Sequence, residues 1–194
     1  MTNLTDTSTI SLHEYEVALS QLANRKEAHL FYNEGDQHAL IVFKTIFNNA
    51  QREVYIVAKD LTNVAVSNAQ QYIESLDAFL KREGVKLNIM LTSFSKDSAL
   101  NAPVFKTISE SPAYKKGNVR IYNLNGKAFN DGNSIVHFCF ADGHMYRIET
   151  DTINRKARCN FNDSEVVNDL LRNFQTGKDL PSTTEINLSE TFAQ

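Results

Sequence analysis

The stretch IVHFCFADG, residues 135–143, runs from an alternating apolar segment into an Asp-Gly pair, and the chain resumes at once with MYRIETD. Asp-Gly is a favoured two-residue hairpin turn because both positions accept positive φ. The spacing therefore predicts two antiparallel strands joined across Asp142-Gly143, with KARCNF as a further strand. Side chains alternate along a strand, which places Ile135, His137, Cys139 and Ala141 on one face. Beyond this sheet segment, Asn162, Asp163 or Ser164 caps a helix whose buried face carries Val167, Leu170, Leu171 and Phe174. After Gly177 the chain is polar and unpatterned, and residues 177–194 are expected to form a flexible tail.

Upstream, strands alternate with helices. EVYIVAKD at 53–60 is nearly continuous in apolar character, as expected of a strand buried on both faces. AHLFYN, KLNIML and NVRIYNL read as further strands. Between them lie a helix from Asp36 with Leu40, Phe43, Phe47 and Ala50 on one face, another from Ser67 or Asn68 to Gly84, and a third over 98–110. This order predicts an α/β layer. At the N-terminus, residues 1–10 read as a disordered lead-in, and 11–27 as an amphipathic helix opened by a capping box of Ser11 and Glu14. That helix either packs on the outside of the domain or pairs with a partner.

With 194 residues, 42% of them hydrophobic, the chain is long enough for one domain with its own core and needs no disulfide or metal to hold it. Cys139 and Cys159 lie in strand-like contexts without a CxxC or Cys/His cluster, so reduced thiols, a cytoplasmic location and no bound metal or other cofactor are expected. No stretch approaches the roughly 18 apolar residues of a membrane span, and no membrane association is expected. The net charge of -3 exerts no general pull on nucleic acid, so any such binding would have to be local.

Over about 28–176 this order of elements resembles single-lobe proteins of the phospholipase D-like superfamily. VYIVAKDLTN, a helix and KREGVKLNIMLTSF are similar to the family's strand, helix and "GV" strand. The strand ending at Asp142 is similar to the one that bears the family's H-x-K-x-x-x-x-D pattern, and Asn160-Phe161 to the Asn before a helix. The resemblance implies an α/β sandwich, with a mixed central sheet and helices on both faces. It also implies phosphodiester chemistry in which one histidine attacks phosphorus, a second protonates the leaving oxygen, and Lys and Asn hold the phosphoryl oxygens. One lobe supplies one histidine, so two lobes must meet about a twofold axis, and a homodimer is expected.

The pattern is broken here. Anchoring on Asp142 puts His137 at the lysine position and Ile135 at the nucleophile position; anchoring on His137 as nucleophile puts Cys139 and His144 at the lysine and aspartate positions. Asp142 lies at the expected turn, which favours the first register. Ile135 cannot attack phosphorus. Two functions follow: a catalytically degenerate domain for assembly, interaction or ligand sensing within a bacterial-type cytosolic complex, or a divergent homodimeric nuclease or phosphodiesterase using His137 from each subunit, with Asn160 as its companion. His137 is either a phosphate-binding imidazolium or a hydrogen-bonded remnant. Arg147, Arg158 and Asp142 are the candidate ligand-binding residues. Arg147 with Arg155, Lys156 and Arg158 forms a candidate basic patch, and residues 144–151 read as a polar strand at a solvated or dimer-facing edge.

Overall fold

The computed structural model describes residues 10–126 and 137–193, with the backbone of 130–131 and 134–135. In chain order the elements are α1 (Leu12–Arg25), β1 (Phe31–Asn33), α2 (Gly35–Asn49), β2 (Glu53–Ala58), α3 (Gln70–Leu80) and β3 (Lys86–Leu91). There follow α4 (Lys96–Leu100), α5 (Pro103–Glu110), α6 (Pro112–Lys115), β4 (Val119–Asn123), β5 (Asn130–Asp131), β6 (Ser134–Ile135), β7 (Phe138–Ala141) and β8 (Met145–Asp151). The chain ends with β9 (Lys156–Asn160), α7 (Ser164–Lys178), β10 (Thr184–Glu185) and α8 (Leu188–Phe192).

One eight-stranded sheet organises the molecule, in the order β1-β9-β8-β7-β2-β3-β4-β10. β2, β3 and β4 are parallel, and β7, β8, β9 and β1 continue the sheet antiparallel. The parallel strands carry apolar residues on both faces because both faces are covered: Val54 and Ile56 enter one core, Val57 and Met90 the other. The larger core lies beneath α1, α2, α3 and α5. The smaller one lies beneath α7, where Val167, Leu170 and Phe174 meet Phe138, Phe140, Tyr146 and Ile148. The α1 capping box forms, with Ser11 accepting from the Glu14 N–H, and Tyr15 O–H donates to the Tyr32 carbonyl at 2.9 Å. Helix α1 therefore packs on the domain.

Several expectations need correction. The 135–141 segment is divided: β7 lies in the large sheet, whereas Ser134–Ile135 pairs with Asn130–Asp131 in a separate two-stranded ribbon. The side chain of Ile135 lies outside the described residues, as do residues 1–9 of the expected lead-in. The hairpin has a three-residue connection, because Ala141 pairs with Met145; Asp142 and Gly143 do take positive φ, at 54° and 78°. β8 is interior to the sheet and not an edge. The chain after Gly177 is not an unpatterned tail: β10 pairs with β4, and α8 buries Leu188 completely against the core.

Candidate functional site

Parallel strands of an open sheet gather ligand sites beyond their carboxyl ends, and here a cleft of about 450 Å³ opens at the end of β2. Its walls are Ala39 and Phe43 of α2, Tyr72 of α3, the loop from Lys59 to Ser67, His137 and Phe138 at the start of β7, and Arg147, Glu149, Thr152 and Arg155. The antiparallel turn of the sheet brings these together. Cys139 pairs with Arg147, and the Glu149 N–H donates to the His137 carbonyl at 2.9 Å, so the ladder reaches one residue past β7. By strand alternation His137, Arg147 and Glu149 share one face.

That face carries a buried ion cluster. His137 Nδ1–H donates to Glu149 Oε2 at 2.9 Å, and Arg147 Nη2 donates to Glu149 Oε1 at 3.2 Å. Arg155 Nη1 stands 3.6 Å from the same Oε1, and its Nε is 3.4 Å from Asp36 Oδ1. The side chains of Arg147 and Glu149 are 4% and 3% exposed. Arg147 is held twice more, by Nε–H donation to Asn33 Oδ1 at 3.0 Å and by the Phe43 ring, whose centroid is 5.2 Å from Cζ. Asn33 also donates through Nδ2 to the Arg155 carbonyl at 2.6 Å, fixing the β8–β9 turn. Burial pushes the Glu149 carboxyl up, but the His137 bond and the Arg147 charge outweigh it and hold the group below its ordinary value. Two polar atoms of the cleft walls are buried without a hydrogen-bond partner among the described residues: His137 Nε2 and Tyr72 Oη.

Of the residues singled out from sequence, the cleft brings together His137, Arg147 and Arg155. Asp142 lies at the far end of β7, where its carboxylate accepts backbone N–H groups from Gln51 at 2.6 Å and from Arg52 and Glu53 at 2.9 Å each. It anchors the turn to the start of β2. Arg158 and Asn160 alternate with Ala157 and Cys159 on β9, and so occupy the sheet face opposite the cleft. There Arg158 is exposed and Asn160 Oδ1 accepts the Asn162 N–H at 2.9 Å. The expected basic patch therefore does not assemble: Arg155 joins Arg147, Arg158 faces away, and Lys156 pairs with Glu34 at 2.8 Å. Sequence reasoning missed Asn33, Tyr72 and the part played by Glu149. The spacing of Arg147 and Glu149 at i and i+2 was the available signal.

The comparisons agree with this architecture. Nuc from Salmonella typhimurium, a phospholipase D family member, is 12% identical with a TM-score of 0.51, over 82% of this chain and 99% of its own. NucT from Helicobacter pylori is 13% identical with a TM-score of 0.53, over 77% of this chain and 95% of its own. The chain has the phospholipase D-like fold. A third structure with this likeness is TrmBL2, an archaeal chromatin protein with a novel mode of DNA binding, at 17% identity and a TM-score of 0.53, over 84% of this chain. The present chain spans 59% of the length of TrmBL2. No family model matches the sequence, and no curated protein matches it. In terms of the phospholipase D-like fold, Asp142 closes the strand at the end opposite the cleft and His137 opens it. No described helix is long and apolar enough to cross a membrane.

Proposed function

We propose that this chain is a catalytically degenerate phospholipase D-like domain that recognises a ligand in its cleft and acts as an assembly or sensing component. The observation that carries this reading is the internal use of the cleft's cations. A phosphoryl-transfer site needs cationic or amide donors aimed at the oxygens where charge develops. Here Arg147 donates to Glu149 and Asn33, and Arg155 is ion-paired with Glu149 and Asp36 at 3.6 and 3.4 Å. Among the described residues lining the cleft, the remaining cation is Lys59 at the rim, 3.9 Å from Asp60. Phosphodiesters set between these groups would meet little uncompensated positive charge.

The test is hydrolysis of a bis-aryl phosphodiester, single-stranded DNA, duplex DNA and RNA, with and without chelator, by wild type and His137→Ala. Neither protein should turn these over. Cleavage by wild type that falls roughly a hundredfold or more in the variant, the scale for losing a nucleophile or general acid-base group, would overturn the degenerate reading.

One observation favours the second reading, a homodimeric phosphodiesterase or nuclease. His137 lines the cleft with its Nδ1 fixed by a carboxylate and its Nε2 without a hydrogen-bond partner among the described residues, and a carboxylate on one ring nitrogen is how a histidine is oriented for nucleophilic or acid-base work. This reading needs a second His137 from another copy, and light scattering at tens of micromolar would have to show a dimer. Under either reading, binding of nucleic acid or of protein partners would be local to the cleft mouth.

A further inference from the structure

The sheet face opposite the cleft is covered in part. Helix α7 packs over β7 and β8 there, burying Phe138, Phe140, Tyr146 and Ile148. β9 and β1 continue the sheet beyond it to the edge. The register sets one row of side chains across this face, from Phe138 and Ile148 beneath the helix to Arg158 on β9 and Tyr32 on β1. Tyr32 is 40% exposed and is the one exposed phenylalanine or tyrosine among the described residues. Its carbonyl is held by Tyr15 O–H at 2.9 Å, so the ring is carried on a fixed backbone.

Arg158 stands directly across from Tyr32. On the cleft face Arg147 and Arg155 are ion-paired, whereas Arg158 is exposed and no carboxylate pairs with it among the described residues. Lys156 lies two residues earlier on the same face, about 7 Å along the strand. Its ion pair with Glu34 at 2.8 Å is exposed in both side chains, 46% and 57%, and an exposed pair of this kind is worth little and exchanges readily with another anion. Asp163, the N-cap of α7, is committed to the Val166 N–H at 3.1 Å. The net charge of -3 requires any contact with a polyanion to be local, and this face supplies the local charge.

These groups fit one class of partner. A flat, open face cannot enclose a small molecule, so its ligand has to be extended. An exposed ring offers a stacking surface to any base, an arginine beside it offers a phosphate contact, and an open sheet lets one strand meet both. A duplex keeps its bases stacked inside and leaves the ring without a role. We propose that the β1–β9 face binds single-stranded nucleic acid, with a base stacked on the Tyr32 ring and successive phosphates along Arg158 and Lys156. This site is separate from the cleft and goes beyond both readings above, which concern the cleft alone.

The experiment titrates the full chain into labelled DNA and RNA oligonucleotides of about 12 nucleotides at low salt and follows fluorescence anisotropy. Single strands should bind saturably, and the matching duplex should bind more weakly. Tyr32→Thr should weaken single-strand binding roughly tenfold, while Tyr32→Phe keeps it, since stacking needs the ring and not the hydroxyl. Arg158→Gln should lower the slope of log K against log salt by about 0.7, the value of one phosphate on a single strand. Both positions are exposed, and circular dichroism with thermal melting checks that all three variants keep the wild-type fold. If Tyr32→Thr does not fold, the Arg158→Gln slope carries the comparison. Lys59→Gln tests the cleft as the alternative location: affinity lost there and retained in Tyr32→Thr and Arg158→Gln overturns the proposal. Equal binding of duplex and single strand, displacement by polyglutamate at the same charge concentration, or no binding at hundreds of micromolar protein overturns it as well. Failure of the degenerate-cleft reading is seen separately, as His137-dependent phosphodiester hydrolysis.

Discussion

Glu149 is the keystone of the buried cluster, and its removal should be among the most destabilising single changes on this sheet face. Glu149→Ala deletes the carboxylate that receives His137 Nδ1–H at 2.9 Å and Arg147 Nη2–H at 3.2 Å. The guanidinium of Arg147, 4% exposed in its side chain, then lies uncompensated in the interior. Breaking one partner of a buried pair costs about 3–5 kcal/mol. Arg147 keeps its bond to Asn33 and its contact with Phe43, which places the expected loss at the lower end, about 3–4 kcal/mol. At roughly 2–4 °C per kcal/mol for a chain of this size, the midpoint should fall by about 6–16 °C. Urea unfolding with fluorescence and circular dichroism, read alongside thermal scans, measures both quantities. Arg147→Met combined with Glu149→Leu removes both charges into a well-packed apolar environment, and should recover at least half of the loss. A Glu149→Ala cost below about 1 kcal/mol, or a double variant whose losses simply add, would refute the claim that this cluster is buried and mutually compensating.

Other consequences are equally accessible. Because the Glu149 carboxyl is held below its ordinary value of 4.5, its contribution to stability is complete above that value and is lost as pH falls through the lower folded value; Glu149→Gln should flatten that acid limb in urea midpoints measured from pH 6 downward. Asp142→Ala strips the acceptor from three backbone N–H groups, and should cost about 2–4 kcal/mol by chemical denaturation, with any cleft ligand still bound; a change below about 0.5 kcal/mol would contradict the anchor role. Leu188→Ala should cost about 2–4 kcal/mol, since Leu188 is fully buried where α8 meets the core; a neutral effect, or unprotected amides over 184–192 in hydrogen exchange, would show that the C-terminal segment is not part of the cooperative unit.

How far the chain could be read in advance depended on the distance over which each feature is decided. KLNIML forms β3 as its pattern predicts, because a short apolar run between a helix-ending Gly84 and a polar loop is recognised from its neighbours alone. The same holds for the α1 cap, whose partners are three residues apart. β8 is interior yet has the pattern of an edge strand, because Arg147 and Glu149 are charged and charge at alternate positions ordinarily marks a solvated face. That face is interior because of Asn33, 114 residues away from Arg147, and because of Phe43 on α2. Periodicity carries no information about which distant side chain will neutralise a charge. Equally, Arg158 and Arg147 looked like partners, and only the pairing of Cys159 with Arg147 shows that Arg158 must point to the other face.

The two ends of β7 make a related point about what a motif residue reports. At one end Asp142 is bound by three successive backbone amides, so its identity is dictated by the need to fasten the β7–β8 turn to the first residues of β2. Nothing in that requirement involves the cleft. At the other end His137 is constrained by one carboxylate and faces open volume, so its neighbours could change chemistry without disturbing the sheet. An aspartate at the turn is therefore good evidence for strand register and weak evidence for catalysis. Activity has to be judged at the His137 end, where the decisive fact is that the buried Arg147 guanidinium is spent on Glu149 and Arg155 is ion-paired with the same carboxylate.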